Sequence, residues 1–129
     1  MIKLKKQKKG ECAIKVIRGA ITTENTREDI FKDTVILIEE IMRRNGLKKE
    51  NLISIFFSAT KDLTAAYPAE AVRKEMEFDD VPMMCFQEME VNGSLPKCIR
   101  VAIFTNIDEK QEVKHVYLKE AKNLRPDLA

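Results

Sequence analysis

Residues 81–104 constrain the fold of this chain more than any other stretch. They form two apolar runs joined by a turn-forming cluster at residues 92–94, and each run carries a charged side chain, Glu88 in the first and Arg100 in the second. Side chains on a strand alternate between its faces, so each charge shares a face with apolar residues. A charge in such surroundings is unfavourable unless it finds a partner. Three interpretations stay open: the two charges pair with each other, one face is solvated, or both line a pocket for a polar ligand.

The composition indicates one globular domain. The chain has 129 residues, of which 44% are hydrophobic and 34% are charged, which suits a single core. The formal net charge is +2, but five lysines lie within the first nine residues and the remainder is net acidic, which argues against a basic nucleic-acid-binding surface. We expect residues 1–13 to be a flexible lysine-rich extension and residues 14–129 to be one domain. A solvated tail is favoured over a nucleic-acid-binding role for these lysines.

Several classes of protein are disfavoured by what the sequence lacks. No apolar run approaches the roughly 20 residues that span a bilayer, and the N-terminus lacks the apolar core of a secretory signal. Three cysteines without C-x-x-C spacing fit reduced thiols in a cytoplasm. The single histidine, His115, disfavours an imidazole metal site and a Ser-His-Asp triad. We therefore expect a cytoplasmic protein without membrane association and without a metal.

The hydrophobic pattern predicts an α/β (α+β) fold. The predicted order is strand, helix, strand, helix, strand, strand, strand, which gives a mixed β-sheet with helices packed on one side. The clearest helix covers residues 26–45, with Thr26 as its cap and Gly46 as its stop, and a second helix begins at Pro68. Besides the two central runs, strands are predicted at residues 13–19, 52–58 and 114–118.

Several side chains form a candidate anion-binding set. Arg18 shares a strand face with Ile14 and Val16, so it is a second arginine on an apolar face. Arginine's planar fork suits carboxylates, and several arginines near one cavity suggest a polyanionic small molecule. The set consists of Arg18 and Arg100, with Arg73 and Arg125 as further candidates, and of Tyr117, Cys85 and Glu88 as hydrogen-bonding groups. For Arg73 alone, a solvated charge is the simpler interpretation.

A set of short segments, in order and at near-constant spacing, resembles the AroH class of chorismate mutases. The likeness runs from Ile14 to the C-terminus and leaves out only the lysine-rich extension. The segments are Arg18, Gly19 and Ala20; Ser58, Ala59 and Thr60; Pro68 and Ala69; Cys85, Gln87 and Glu88; residues 97–101; residues 115–118; and residues 124–128.

The resemblance implies an isomerase that converts chorismate to prephenate by a Claisen rearrangement, at the branch towards phenylalanine and tyrosine. It implies a cofactor-free homotrimer in which three sheets form a pseudo β-barrel, helices lie outside and the active sites lie between subunits. Catalysis would use electrostatic stabilisation and substrate preorganisation, without acid–base or covalent steps. Neither nucleic acid nor a membrane would be a partner.

The resemblance also implies roles for individual residues. Arg100 is the cation at the breaking ether oxygen, and Glu88 with the backbone around Cys85 meets the ring hydroxyl. Arg18 and Tyr117 would hold the side-chain carboxylate. The other implied residues line the pocket (Met84, Cys85, Phe86, Gln87), lie near its mouth (Tyr67, Ala69, Arg73) or form a mobile closing tail (Leu124, Arg125).

Some positions depart from the family's pattern. Glu70 stands near the pocket mouth where a lysine is expected, which would weaken the attraction for a dianion. Tyr67 replaces a phenylalanine, and Met83 and Met84 replace smaller residues. One alternative function is a trimeric small-molecule binding module that keeps the arginine pocket without efficient turnover. Another is a nucleic-acid-binding module that uses the lysine-rich extension.

Overall fold

The computed structural model describes residues 11–127, and within them the predicted order of strands and helices is confirmed. The strands are β1 (Cys12–Thr22), β2 (Leu52–Ala59), β3 (Met83–Gln87), β4 (Cys98–Asp108) and β5 (Val116–Leu118). The helices are α1 (Arg27–Asn45) and α2 (Pro68–Glu75), with short 3-10 helices at Lys49–Asn51 and Lys119–Leu124. No helix in this part of the chain is long and apolar enough to cross a membrane.

The five strands form one mixed sheet in the order β3-β2-β4-β1-β5. The long strand β4 is central and antiparallel to both β1 and β2. The outer strands are parallel to their neighbours, β3 to β2 and β5 to β1. The two apolar runs of residues 81–104 therefore lie in the same sheet, but β2 separates them.

Helix α1 has the two ends that its sequence predicts. The Thr26 hydroxyl accepts a hydrogen bond from the Asp29 backbone N–H at 3.0 Å and caps the first turn. Gly46 ends the helix with φ of 59°, a left-handed conformation that glycine adopts without strain.

Both helices cover the same face of the sheet, as predicted. Ile17 and Ile55 of the sheet are fully buried in one cluster with Leu37 of α1 and Val72 of α2. At Gly19 the helix approaches so closely that an added Cβ would lie 2.8 Å from Ile41 Cδ1. This close approach explains why β1 has a glycine in its middle.

The opposite face of the sheet is uncovered in the single chain and carries large apolar side chains. Ile14 is 68% exposed, Met84 55% and Phe86 47%. The Phe56 ring lies 5.6 Å from the Phe86 ring and 5.4 Å from the Phe104 ring, centroid to centroid. We name this surface, with Ile14, Val16, Phe56, Met84, Phe86 and Phe104, the open face. Apolar side chains that are exposed side by side in this way are typical of an interaction surface.

Two predicted strands have different bounds in the structure. The first strand, predicted at residues 13–19, runs from Cys12 to Thr22, and residues 1–10 of the predicted extension lie outside the described part of the chain. The last strand begins at Val116 and not at Lys114. The backbone of Lys114 bonds instead to the Asn45 side chain, through its N–H at 2.7 Å and its carbonyl at 2.9 Å. Side-chain bonding of this kind replaces the ladder that the pattern predicted.

Candidate active site

Arg100 and Glu88 form an ion pair on the open face, with 2.9 Å between Arg100 Nε and Glu88 Oε2. Glu88 directly follows β3 and is held in place because its N–H donates to the Ala59 carbonyl at 2.9 Å. The carboxylate also accepts a hydrogen bond from the Met89 N–H at 3.1 Å. The pairing interpretation is thus confirmed. Because the two side chains keep 45% and 28% of their surface exposed, the pair remains accessible to a ligand.

Arg18 and Tyr117 lie beside this pair on the same face of the sheet. In the register, Ala20 is opposite both Arg100 and Tyr117, and Arg18 is opposite Ala102. Directly opposed residues on neighbouring strands point to the same side, so these groups form one polar region. The Arg18 side chain is exposed.

Tyr117 is largely buried, and its environment connects it to the C-terminal segment. It packs in a small cluster with Ala20, Cys98 and Ala121, against which Leu124 also lies. Burial raises the pKa of the Cys98 thiol to about 11, although the nearby Arg100 guanidinium opposes this shift. The cluster therefore connects the strands that carry Arg18 and Arg100 with Ala121 and Leu124 near the C-terminus.

Arg125 lies near this region in an ion pair of its own. Its Nη2 is 2.9 Å from Asp127 Oδ2, and this arginine lowers the pKa of the Asp127 carboxyl. Burial lowers the pKa of His115, and the positive charges of Arg18 and Arg125 lower it further. Both arginines therefore lie within electrostatic range of His115. His115 Nδ1 accepts the Arg18 N–H at 2.9 Å and so fixes the backbone of Arg18.

A second group of predicted residues lines a cavity of about 590 Å³ beside α2. Tyr67, Cys85, Phe86 and Gln87 contribute to its wall. Cys85 points towards the helix side of the sheet, whereas its neighbours on β3 point to the open face. Burial raises the pKa of the Cys85 thiol, and the backbone at Ala69 and the charge of Arg73 oppose the shift, which places α2 beside this thiol.

Within the described residues 11–127, the cavity beside α2 and the region around Arg18 and Arg100 are lined by different predicted residues. The residues that line the cavity do not include Arg18, Arg100 or Tyr117. Met84 is on the open face, and Ala69 is buried in α2. The structure therefore brings the predicted site residues together in two groups.

Arg27, which belongs to no motif of the sequence, contributes to the wall of the cavity. It pairs with Glu70, from Nη1 to Oε1 and from Nη2 to Oε2, both at 3.2 Å. Lys74 Nζ lies 2.9 Å from the same carboxylate, and the two cations lower the Glu70 pKa to about 2. The Glu70 side chain is only 19% exposed between these two partners. No local pattern marks Arg27, since the first residue of a helix is usually solvated.

Comparison with known proteins identifies the family of this chain. A family model described as chorismate mutase type I matches residues 14–128. The chain belongs to this family. It is therefore a chorismate mutase, and chorismate mutases are isomerases.

Individual relatives agree with this membership. The chain is 45% identical over 118 residues to chorismate mutase AroH of Bacillus subtilis, an alignment that covers 90% of this chain and 93% of the relative. Chorismate mutase AroH of Thermus thermophilus is also 45% identical, with 89% and 96% covered. A solved chorismate mutase from Clostridium thermocellum has 46% identity and a TM-score of 0.81, with 84% of this chain and 98% of that chain covered. Both the sequence and the fold are thus those of type I chorismate mutases.

Proposed function

We propose that this protein converts chorismate to prephenate, in the cytoplasm, on the route to phenylalanine and tyrosine. The observation that carries the proposal is the Arg100–Glu88 pair on the open face, beside Arg18, in a chain of this family. We further propose that the described strands and helices form a single catalytic domain, which acts without a cofactor.

The reaction needs a positive charge more than it needs a proton donor. In a Claisen rearrangement the ether carbon–oxygen bond breaks while a carbon–carbon bond forms, in one cyclic movement of electrons, and no proton is transferred. Negative charge grows on the ether oxygen in the transition state. A guanidinium already aimed at that oxygen stabilises the transition state more than the ground state. Arg100 is the proposed cation.

The remaining residues would hold the substrate in its reactive shape. Glu88 and the backbone at Cys85 would bind the ring hydroxyl, and Arg18 and Tyr117 would bind the side-chain carboxylate. These contacts fold the enolpyruvyl group over the ring and so reduce the entropy lost on reaching the transition state. Leu124 and Arg125 would close over the bound substrate.

We propose that the complete site forms between copies in a homotrimer. Two observations support this arrangement. The site residues fall into two groups, and the cavity beside α2 lacks the arginines of the open face. The open face also exposes apolar side chains that a second copy would cover. In a trimer, the cavity group of one copy would complete the arginine group of the next.

The test is the loss of chorismate absorbance in the purified protein without added metal or cofactor, with prephenate identified as the product. Removing a preorganised electrostatic donor lowers kcat by about 100- to 1,000-fold, and we expect this loss for Arg100→Ala. Arg100→Lys should also be severe, because lysine keeps the charge but not the planar fork. The matched control is Arg43→Ala, because Arg43 lies on α1, pairs with Glu40 at 2.6 Å and does not line the cavity beside α2.

The two alternatives make different predictions in the same experiment. If the wild type binds chorismate but turns it over no faster than the background, the protein is a binding module. A nucleic-acid-binding module predicts affinity for nucleic acid that falls steeply with salt and is lost when residues 1–9 are deleted.

A further inference from the structure

Two contacts fix the guanidinium of Arg27 at the rim of the cavity. Both terminal nitrogens face the Glu70 carboxylate at 3.2 Å, which is a two-pronged pair. Arg27 Cζ also lies 4.3 Å from the centroid of the Phe31 ring, a cation–π contact. Together these contacts hold a long side chain in one place at the start of α1.

The charge around Glu70 is positive in sum, although Glu70 itself is acidic. Arg27 and Lys74 each contribute one positive charge, and both contact the one Glu70 carboxylate, so the three groups sum to +1. The carboxylate is ionised at neutral pH because its pKa is about 2. The expectation that Glu70 weakens the attraction for a dianion therefore does not take its two cationic partners into account.

The Arg27 cation faces the space that the predicted substrate-binding residues line. Arg27 lines the same cavity as Tyr67, Cys85 and Gln87. The volume of about 590 Å³ lies in the range that small-molecule ligands occupy. The Arg27 side chain keeps 54% of its surface exposed, so it can meet a ligand while it stays paired with Glu70.

We propose that Arg27 is a substrate-binding residue that attracts and orients a carboxylate at the mouth of the cavity, and that Glu70 positions it. This proposal rests on the proposed function. Chorismate carries two carboxylates, and Arg27 would meet the one that Arg18 does not hold. Recognition of the substrate's second charge is thus assigned to the start of α1.

The experiment compares Arg27→Gln, Arg27→Lys and the control Arg43→Gln by steady-state kinetics at low and high salt. Since the contact is half exposed, we expect Arg27→Gln to raise KM roughly two- to five-fold, with a smaller effect on kcat. Arg27→Lys should restore most of the affinity because it keeps the charge. The salt dependence of kcat/KM should be weaker in Arg27→Gln than in the wild type, because one attracting charge is gone.

Arg43→Gln is the matched control because Arg43 also lies on α1 and also pairs with a glutamate. Each of the two glutamine variants loses one exposed ion pair, and Arg27→Gln also loses the contact with the Phe31 ring, so its melting temperature should fall slightly more. If Arg27→Gln has the same KM and the same salt dependence as Arg43→Gln, the inference is wrong.

Failure of this inference is distinguishable from failure of the proposed function. If the wild type is active, Arg100→Ala is inactive and Arg27→Gln keeps a wild-type KM, then only the role of Arg27 is refuted. If the wild type itself is inactive, chorismate affinity measured by calorimetry on the wild type and on Arg27→Gln tests the role of Arg27 without turnover. An unchanged dissociation constant would then overturn it.

Discussion

The open face predicts that Phe56→Ala weakens association between copies of the chain. Phe56 lies in the middle of this face, in contact with the Phe86 and Phe104 rings, and is 38% exposed in the single chain. In the proposed trimer this exposed fraction becomes buried. Replacement by alanine removes most of that buried area without adding a charge.

The size of the effect follows from the exposed area. A phenylalanine presents about 200 Å², and 38% of that is about 75 Å². At about 25 cal/mol per Å², each copy loses up to about 2 kcal/mol, or about 6 kcal/mol per trimer. This weakens the trimer dissociation constant by about four orders of magnitude. Because that constant contains the square of a concentration, the midpoint of dissociation should rise about 100-fold.

The assay is sedimentation equilibrium, or light scattering after gel filtration, over a wide range of protein concentrations. The matched control is Ile36→Ala, because Ile36 is 41% exposed but lies on helix α1, away from the open face. Circular dichroism checks that each variant keeps its fold. A wild-type protein that is monomeric at every concentration would refute the reasoning, and so would equal midpoints for the two variants.

Three further predictions concern stability and reactivity. Gly19→Ala should lower the free energy of unfolding by about 1–3 kcal/mol, because the added Cβ would lie 2.8 Å from the Val116 carbonyl oxygen. Urea titrations measure this loss, and a variant as stable as the wild type would contradict the prediction. The pKa of His115 is lowered in the fold, so the folded state binds fewer protons than the unfolded state. Stability should therefore fall as pH drops below the unfolded value of about 6.5, and His115→Asn should flatten this slope in paired urea titrations at several pH values. Because Cys98 is buried with a pKa of about 11, its alkylation should be slow in the native protein and fast in urea; rapid native labelling would count against the cluster around it.

Much of the fold is predictable because its signals are local. The cap, the stop and the apolar stripe of α1 all lie within its own sequence, and its two ends were predicted correctly. The last strand shows where such signals fail. The backbone of Lys114 is bound by Asn45, which lies 69 residues earlier, and the local pattern around Lys114 contains no trace of that bond.

The site is less predictable than the fold for the same reason. Alternation placed Arg18 and Arg100 on apolar faces, but it could not tell a covered face from an open one. Arg27 was missed because its position depends on Glu70, which is 43 residues away. Contacts between distant segments, which no window of sequence contains, therefore determine which charges surround the cavity.

Pairing between Arg100 and Glu88 is compatible with the interpretation that both side chains line a pocket for a polar ligand. The contact uses Nε of Arg100, and a guanidinium has further N–H donors on its two terminal nitrogens. Glu88 is itself fixed by the Met89 N–H and by its own bond to Ala59. In the proposed mechanism the carboxylate therefore aligns the guanidinium before substrate arrives, and terminal N–H donors of Arg100 would meet the ether oxygen. Less reorganisation is then needed during the reaction, which is the condition under which a fixed charge accelerates it most.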